Sequence, residues 1–126
     1  MLESALILTV FIGMLVAIYD VSHFLILHQS LTERVRDALR YGTVHPFDAT
    51  KIQNIVLYGS PAEPSGAAPS FNLTRSMVNV QRLDPDSTED RIVVTVSGYP
   101  FEILTPWIAR IARGVAISNS LPYEQY

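Results

Sequence analysis

The chain has 126 residues, 17% of them charged, with a net charge of −3 and no cysteine. An acidic balance without a basic stripe argues against a nucleic-acid surface, and the lack of cysteine excludes disulfides and thiolate metal sites. The length holds one small body and an appendage.

The appendage comes first. Ser4 to Tyr19 (SALILTVFIGMLVAIY) carries no charge. As a helix it spans roughly 24 Å, a little short of the ~30 Å hydrocarbon core of a bilayer. Beyond Asp20 the apolar character resumes at Val21, Phe24, Leu25, Ile26 and Leu27. This stretch is too apolar for the skin of a small globule, so lipid or other copies of itself are expected to cover it. Met1-Leu2-Glu3 is acidic where a cleaved signal wants a basic n-region, so the segment is expected to be retained. Glu3 has two readings: a charged flank in water or headgroups, or a buried carboxylate that needs an amine partner or must become neutral. Ala5, Thr9, Gly13 and Ala17 form an i, i+4 series of small residues. Such a series lets helix backbones approach closely, although apolar helices are rich in small residues anyway. Gly13 weakens the helix by about 1 kcal/mol relative to alanine.

From Val21 the pattern turns one-sided. Phe24, Leu27, Leu31, Val35 and Leu39 make one stripe, and Gln29, Glu33, Arg36, Asp37 and Arg40 lie opposite. No Gly or Pro interrupts the run between Gly13 and Gly42, which predicts one helix from about residue 3 to 41 with Gly42 as its cap. His23, His28 and His45 lack metal-ligand spacing and are expected to be interfacial or surface residues.

The rest reads as a small sheet. Ile52–Tyr58 (IQNIVLY) is β-branched enough for a first strand, and the proline-rich Pro61–Pro69 predicts an exposed loop. Asn72-Leu73-Thr74 matches a glycosylation sequon. Ser76–Leu83 and Arg91–Ser97 alternate and predict a hairpin around the turn Asp84-Pro85-Asp86-Ser87. Gly98 suggests a bulge or bend, with Tyr99-Pro100-Phe101 continuing extended. Leu104–Ala112 suggests a short helix begun by Thr105 and Pro106. Val115–Asn119 would be the last strand, with LPYEQY as a tail. The fold class is α+β: a long N-terminal helix (1–42) whose upper half covers a small antiparallel sheet domain (43–126). No catalytic motif and no cofactor or metal site is legible, so no enzyme is expected.

Three stretches carry a resemblance. The acidic-then-apolar opening MLESALILTVFIGMLVAIYD, the charged helical stretch ERVRDALRYG and the strand-to-loop run IVVTVSGYPFEILTP are together similar to TadE-like pseudopilins of tight-adherence, type IV-like pilus systems. The resemblance implies a pilin-like fold and insertion in the cytoplasmic membrane with the β domain outside. It also implies trimming by a prepilin peptidase, then extraction by the pilus machinery into a helical homopolymer serving surface attachment. Glu3, Ala5, Thr9, Gly13 and Ala17 would then be assembly residues. Glu3 stands third where the family's acid is usually fifth. Arg34, Arg36 and Arg40 follow the apolar run with no base before it, a distribution that by the positive-inside rule alone favours the opposite orientation. Within this class the alternative is a low-abundance initiating or tip pseudopilin. From another class it is a single-pass anchored periplasmic binding module.

Overall fold

The computed structural model describes residues 2–100, 104 and 115–123. Its dominant element is helix α1, Leu2–Val44, unbroken through 43 residues. Helix α2, Ala49–Tyr58, folds back beside it, and two 3-10 turns, Ser70–Asn72 and Arg75–Met77, lead into the sheet. Strands β1 (Val78–Leu83), β2 (Arg91–Val96) and β3 (Ile117–Pro122) form an antiparallel meander in the order β1-β2-β3. The long N-terminal helix and small antiparallel sheet make this an α+β fold.

The register follows from side-chain alternation. Val78 pairs with Val96, Val80 with Val94, Ile92 with Leu121 and Val96 with Ile117. These residues share the face turned to the helices, while Asn79, Gln81, Ser118 and Ser120 face outward and are exposed. One face buried and one face wet is how an antiparallel sheet of this size is stabilised. The upper part of α1 lies against β2 and β3 and against α2, and α2 lies against β1. Leu31, Val35, Ala38 and Leu39 of α1 meet Ile52, Val56 and Leu57 of α2 and Ile92, Val94 and Val96 of β2 in one buried core. Each large side chain so buried contributes roughly 1.5–3 kcal/mol.

The structure corrects the sequence reading at several points. Ile52–Tyr58 is helical, not a strand. The Asp48 carboxylate accepts from the backbone N–H groups of Thr50 (3.0 Å) and Lys51 (3.2 Å) at the helix start. At the other end Gly59 adopts φ 76° and donates to the Ile55 carbonyl at 2.8 Å. Ile52, Ile55 and Val56 fall at i, i+3 and i+4 and all point into the core. Two caps and a buried face outweigh the β-branched content, a tertiary override of propensity.

Gly42 is not a cap either, since α1 runs on to Val44. A Cβ there would stand 2.9 Å from Ile52 Cδ1 and 3.0 Å from Ile92 Cδ1. Gly42 is the point where α1, α2 and the sheet come closest. Strand β1 begins at Val78, two residues later than expected, because Arg75–Met77 is a 3-10 turn. Gly98 lies in a bend, as expected, with φ 67°, but past the end of β2 at Val96 rather than within a strand, and Tyr99 and Pro100 are not in a strand. The last strand is shifted to Ile117–Pro122, so part of the supposed tail belongs to the sheet. The expected helix over Leu104–Ala112 and the position of Phe101 lie outside the described residues, apart from Leu104 itself.

An ion pair closes the hairpin. Arg82 Nε donates to both Asp90 carboxylate oxygens, at 3.0 and 3.1 Å, its Nη2 makes a further short contact to the same carboxylate, and its guanidinium stacks 4.5 Å over the Tyr123 ring. Tyr123 N–H donates to the Asp90 carbonyl at 2.9 Å, which ties the end of β3 to the hairpin turn. The Arg82 hydrogen bond, more than the opposing effect of burial, holds the Asp90 carboxyl below its ordinary range, helped by the Asp86 backbone N–H and the Arg82 charge. A carboxyl depressed on folding contributes stability above its unfolded pKa of about 3.9 and loses it as pH falls through the lower folded value. The melting temperature of the sheet, followed by circular dichroism, is therefore expected to drop once pH falls below about 4. Asp90→Asn should lower the melting temperature at pH 7 and flatten that acid limb. An unchanged acid limb in Asp90→Asn assigns it to other carboxylates.

Candidate assembly and anchoring surface

The first half of α1 is long and apolar enough to cross a bilayer, and nearly all of it is exposed. Leu2, Leu6, Ile7, Val10, Phe11, Met14 and Ile18 are each more than half exposed although they point in different directions around the helix. Thr9, the polar side chain among them, donates from Oγ1 to the Ala5 carbonyl at 2.8 Å. Further along, Ser22, Ser30 and Thr32 make the same bond to the carbonyls four residues back. Hydroxyls satisfied within their own helix leave no polar group asking for water, which suits an apolar surrounding.

Ala5, Thr9 and Gly13 are exposed, whereas Ala17 is half-buried. Among the described residues, a Cβ built at Gly13 meets nothing within 4 Å, so its lack of a side chain serves no packing among them. Glu3 lies exposed in the first turn. Met1, beside this turn, lies outside the described residues. Higher on the same helix Phe24 and Leu27 are half-buried against the core, and Leu31, Val35 and Leu39 are fully buried. The structure thus separates the two sets: one lies on a free surface, the other inside the domain.

Asp20 stands where these regimes meet. It is 2% exposed and accepts a hydrogen bond from the Leu104 backbone N–H at 3.1 Å. Sequence reading marked Asp20 only as an acid near the end of the apolar run. Its burial was legible in its spacing, because 20, 24, 27, 31 and 35 fall on one helical stripe. Eight residues above it, His28 Nδ1 meets the Tyr99 hydroxyl at 3.2 Å. Burial pushes the Tyr99 hydroxyl above its ordinary pKa.

Each histidine lies against an aromatic ring one turn earlier: His23 stacked on Tyr19 (6.1 Å), His28 tilted against Phe24 (5.7 Å) and His45 stacked on Tyr41 (4.1 Å). Among the described residues no group of three or more His, Asp or Glu could hold a metal ion. Asn72 is exposed with φ 52° in the first 3-10 turn.

A second polar cluster holds the proline-rich loop. Buried Asn54 donates to the Pro61 carbonyl (3.2 Å) and accepts from Arg75 (3.0 Å), which also pairs with Glu63 at 2.7 Å. Arg34 lies 5.3 Å over the Phe71 ring, and its Nη1 is buried without a hydrogen-bond partner among the described residues. Both arrangements lie in the body of the domain, away from the exposed helix. Neither was legible in sequence, since each joins residues far apart in the chain.

Comparison with protein-family models, curated proteins and solved structures gives no match.

Proposed function

We propose that the protein is a structural subunit of a tight-adherence or type IV-like extracellular filament. One observation carries the reading: a single unbroken helix is packed at its upper half and bare and apolar at its lower half. A face of that size needs a cover. A helix apolar all round fits lipid before assembly and a bundle of identical helices afterwards. On this reading the sheet domain stays outside the cytoplasmic membrane, and the pilus machinery and a prepilin peptidase are the partners. The filament would serve attachment.

Glu3 gives the sharpest test of assembly. In the membrane its carboxylate is hydrated by headgroups at little cost. In a filament core an unpaired ion costs several kcal/mol, so an amine must neutralise it. No Lys or Arg occurs before Arg34, which leaves a terminal amine of the same or an adjacent chain. Glu3→Gln keeps shape and hydrogen bonding without the charge. It is expected to leave membrane levels unchanged and to cut sheared surface filaments at least tenfold, the effect of about 1.4 kcal/mol per docking step. Wild-type filament yield from Glu3→Gln removes the pairing. Imaging of sheared filaments and identification of their dominant polypeptide separates a major subunit from a minor or tip one. A chain that stays monomeric in the membrane, with no filament containing it, supports the anchored binding module instead.

A further inference from the structure

We propose that the sheet domain rests directly on the bilayer, with the Leu104 side chain inserted at the boundary between headgroups and acyl chains beside Asp20. This rests on the reading of the lower half of α1 as the membrane-spanning segment. Three observations fix the height of that boundary and bring Leu104 to it.

Asp20 is the first charge after Glu3. Seventeen residues of helix separate the two carboxylates, roughly 26 Å against a hydrocarbon core of ~30 Å. With Glu3 in one headgroup layer, Asp20 falls at the other. At that level Tyr19 and His23 stack on each other and are both exposed. Paired amphipathic rings suit the interface rather than the acyl interior.

Leu104 is then brought to this height by its backbone, whose N–H donates to Asp20. A carboxylate leaving water keeps its charge only when hydrogen-bond donors replace the water, and this N–H is such a donor. The Leu104 side chain is 69% exposed. An exposed leucine alone means nothing; its tether to the boundary residue gives it an apolar neighbour. The Tyr99 contact to His28, about 12 Å higher on the helix, ties the same part of the domain to α1 above the lipid. The domain therefore has no free stalk between itself and the membrane. A second copy of the chain is the competing occupant of this patch.

The absence of cysteine makes the test direct, because Leu104→Cys, Ile12→Cys and Asn79→Cys each supply a single thiol for a nitroxide. The full-length labelled chains are placed one per phosphatidylcholine nanodisc, and collision rates with oxygen and with a water-soluble nickel chelate are compared. Ile12 is expected deep, with oxygen strongly favoured, and Asn79 on the outer sheet face is expected aqueous. Leu104 should show a severalfold higher oxygen-to-nickel ratio than Asn79. Asp20→Ala should lower that ratio and Asp20→Asn, which keeps an acceptor for the Leu104 N–H, should preserve it. A Leu104 label as aqueous as Asn79, with Ile12 still deep, overturns the docking and leaves the anchor standing. An aqueous Ile12 label overturns both. Aqueous Leu104 in single-chain discs, with dipolar broadening between Leu104 labels at higher loading, gives the patch to a second copy and overturns the proposal.

Discussion

A chain that begins at Asp20 is expected to be a soluble monomer with the same sheet and the same two helices, whereas the full chain should need detergent or lipid. Removing residues 1–19 takes away most of the apolar, exposed part of α1, leaving only Val21, Leu25 and Ile26 of that exposed set on the helix below Val44, and no side chain of the buried core. The Asp20 carboxylate and its bond from Leu104 remain. Starting instead at Gln29 should be far more damaging. That cut removes the half-buried Phe24 and Leu27, worth roughly 2–3 kcal/mol together at half burial. It also removes the Asp20 hydrogen bond, a charged acceptor worth roughly 1.5–3 kcal/mol, and the His28 contact to Tyr99. A domain of about a hundred residues has a total stability of about 5–15 kcal/mol. Urea unfolding followed by circular dichroism should place the Gln29 form several kcal/mol below the Asp20 form. Equal stability of the two forms would mean that the contacts between residues 20 and 28 and the domain carry no weight. An aggregating Asp20 form would mean that Val21, Leu25 and Ile26, exposed above residue 19, are enough to drive association.

That boundary is lower than hydropathy alone suggests, and the reason shows how much of the fold could be read from the residues. Loss of all-round hydrophobicity at Val21 was legible, and so was the stripe through Phe24, Leu31 and Leu39, because each is periodic within one helix. The hairpin was legible for the same reason: Val78 to Leu83 and Arg91 to Val96 alternate, and Asp84-Pro85-Asp86 marks the turn between them. Three things were obscured. Ile52–Tyr58 has strand-like side chains, and only the caps Asp48 and Gly59 betray a helix. The ends of β3 were misplaced, because ISNSLP has too few apolar residues to set them: the expected Val115–Asn119 overlaps it only at Ile117–Asn119, and its extent follows from pairing with β2. Asp20 shares the spacing of the buried stripe, but its hydrogen-bond partner was obscured. That partner is 84 residues away in the chain, a separation no local pattern encodes. The free surface of α1 was legible as composition, while its occupant is not a property of one chain.

Gly13→Leu is expected to abolish or severely reduce filaments while leaving the single chain intact or slightly more stable. Among the described residues nothing opposes the change, because a Cβ at Gly13 has no neighbour there within 4 Å. Leucine restores about 1 kcal/mol of helix propensity, and in a bilayer it inserts more favourably by a few tenths of a kcal/mol. Any loss of assembly must therefore arise between chains. If helices approach along Ala5, Thr9 and Gly13, a leucine forces the backbones apart and forfeits the dispersion contacts that small residues permit. Ala17 is half-buried within the single chain, so Ala17→Leu should disturb the monomer itself, and the two substitutions should separate cleanly. Met14→Leu is the control, being similar in volume and off the small-residue series. Membrane abundance, helicity and sheared filament yield are measured for all three variants. Lost filaments in Gly13→Leu with normal membrane levels and a normal Met14→Leu control assign the series to helix contacts. Normal filaments in Gly13→Leu would mean that this stripe faces lipid or open space, and that copies of α1 meet along another face.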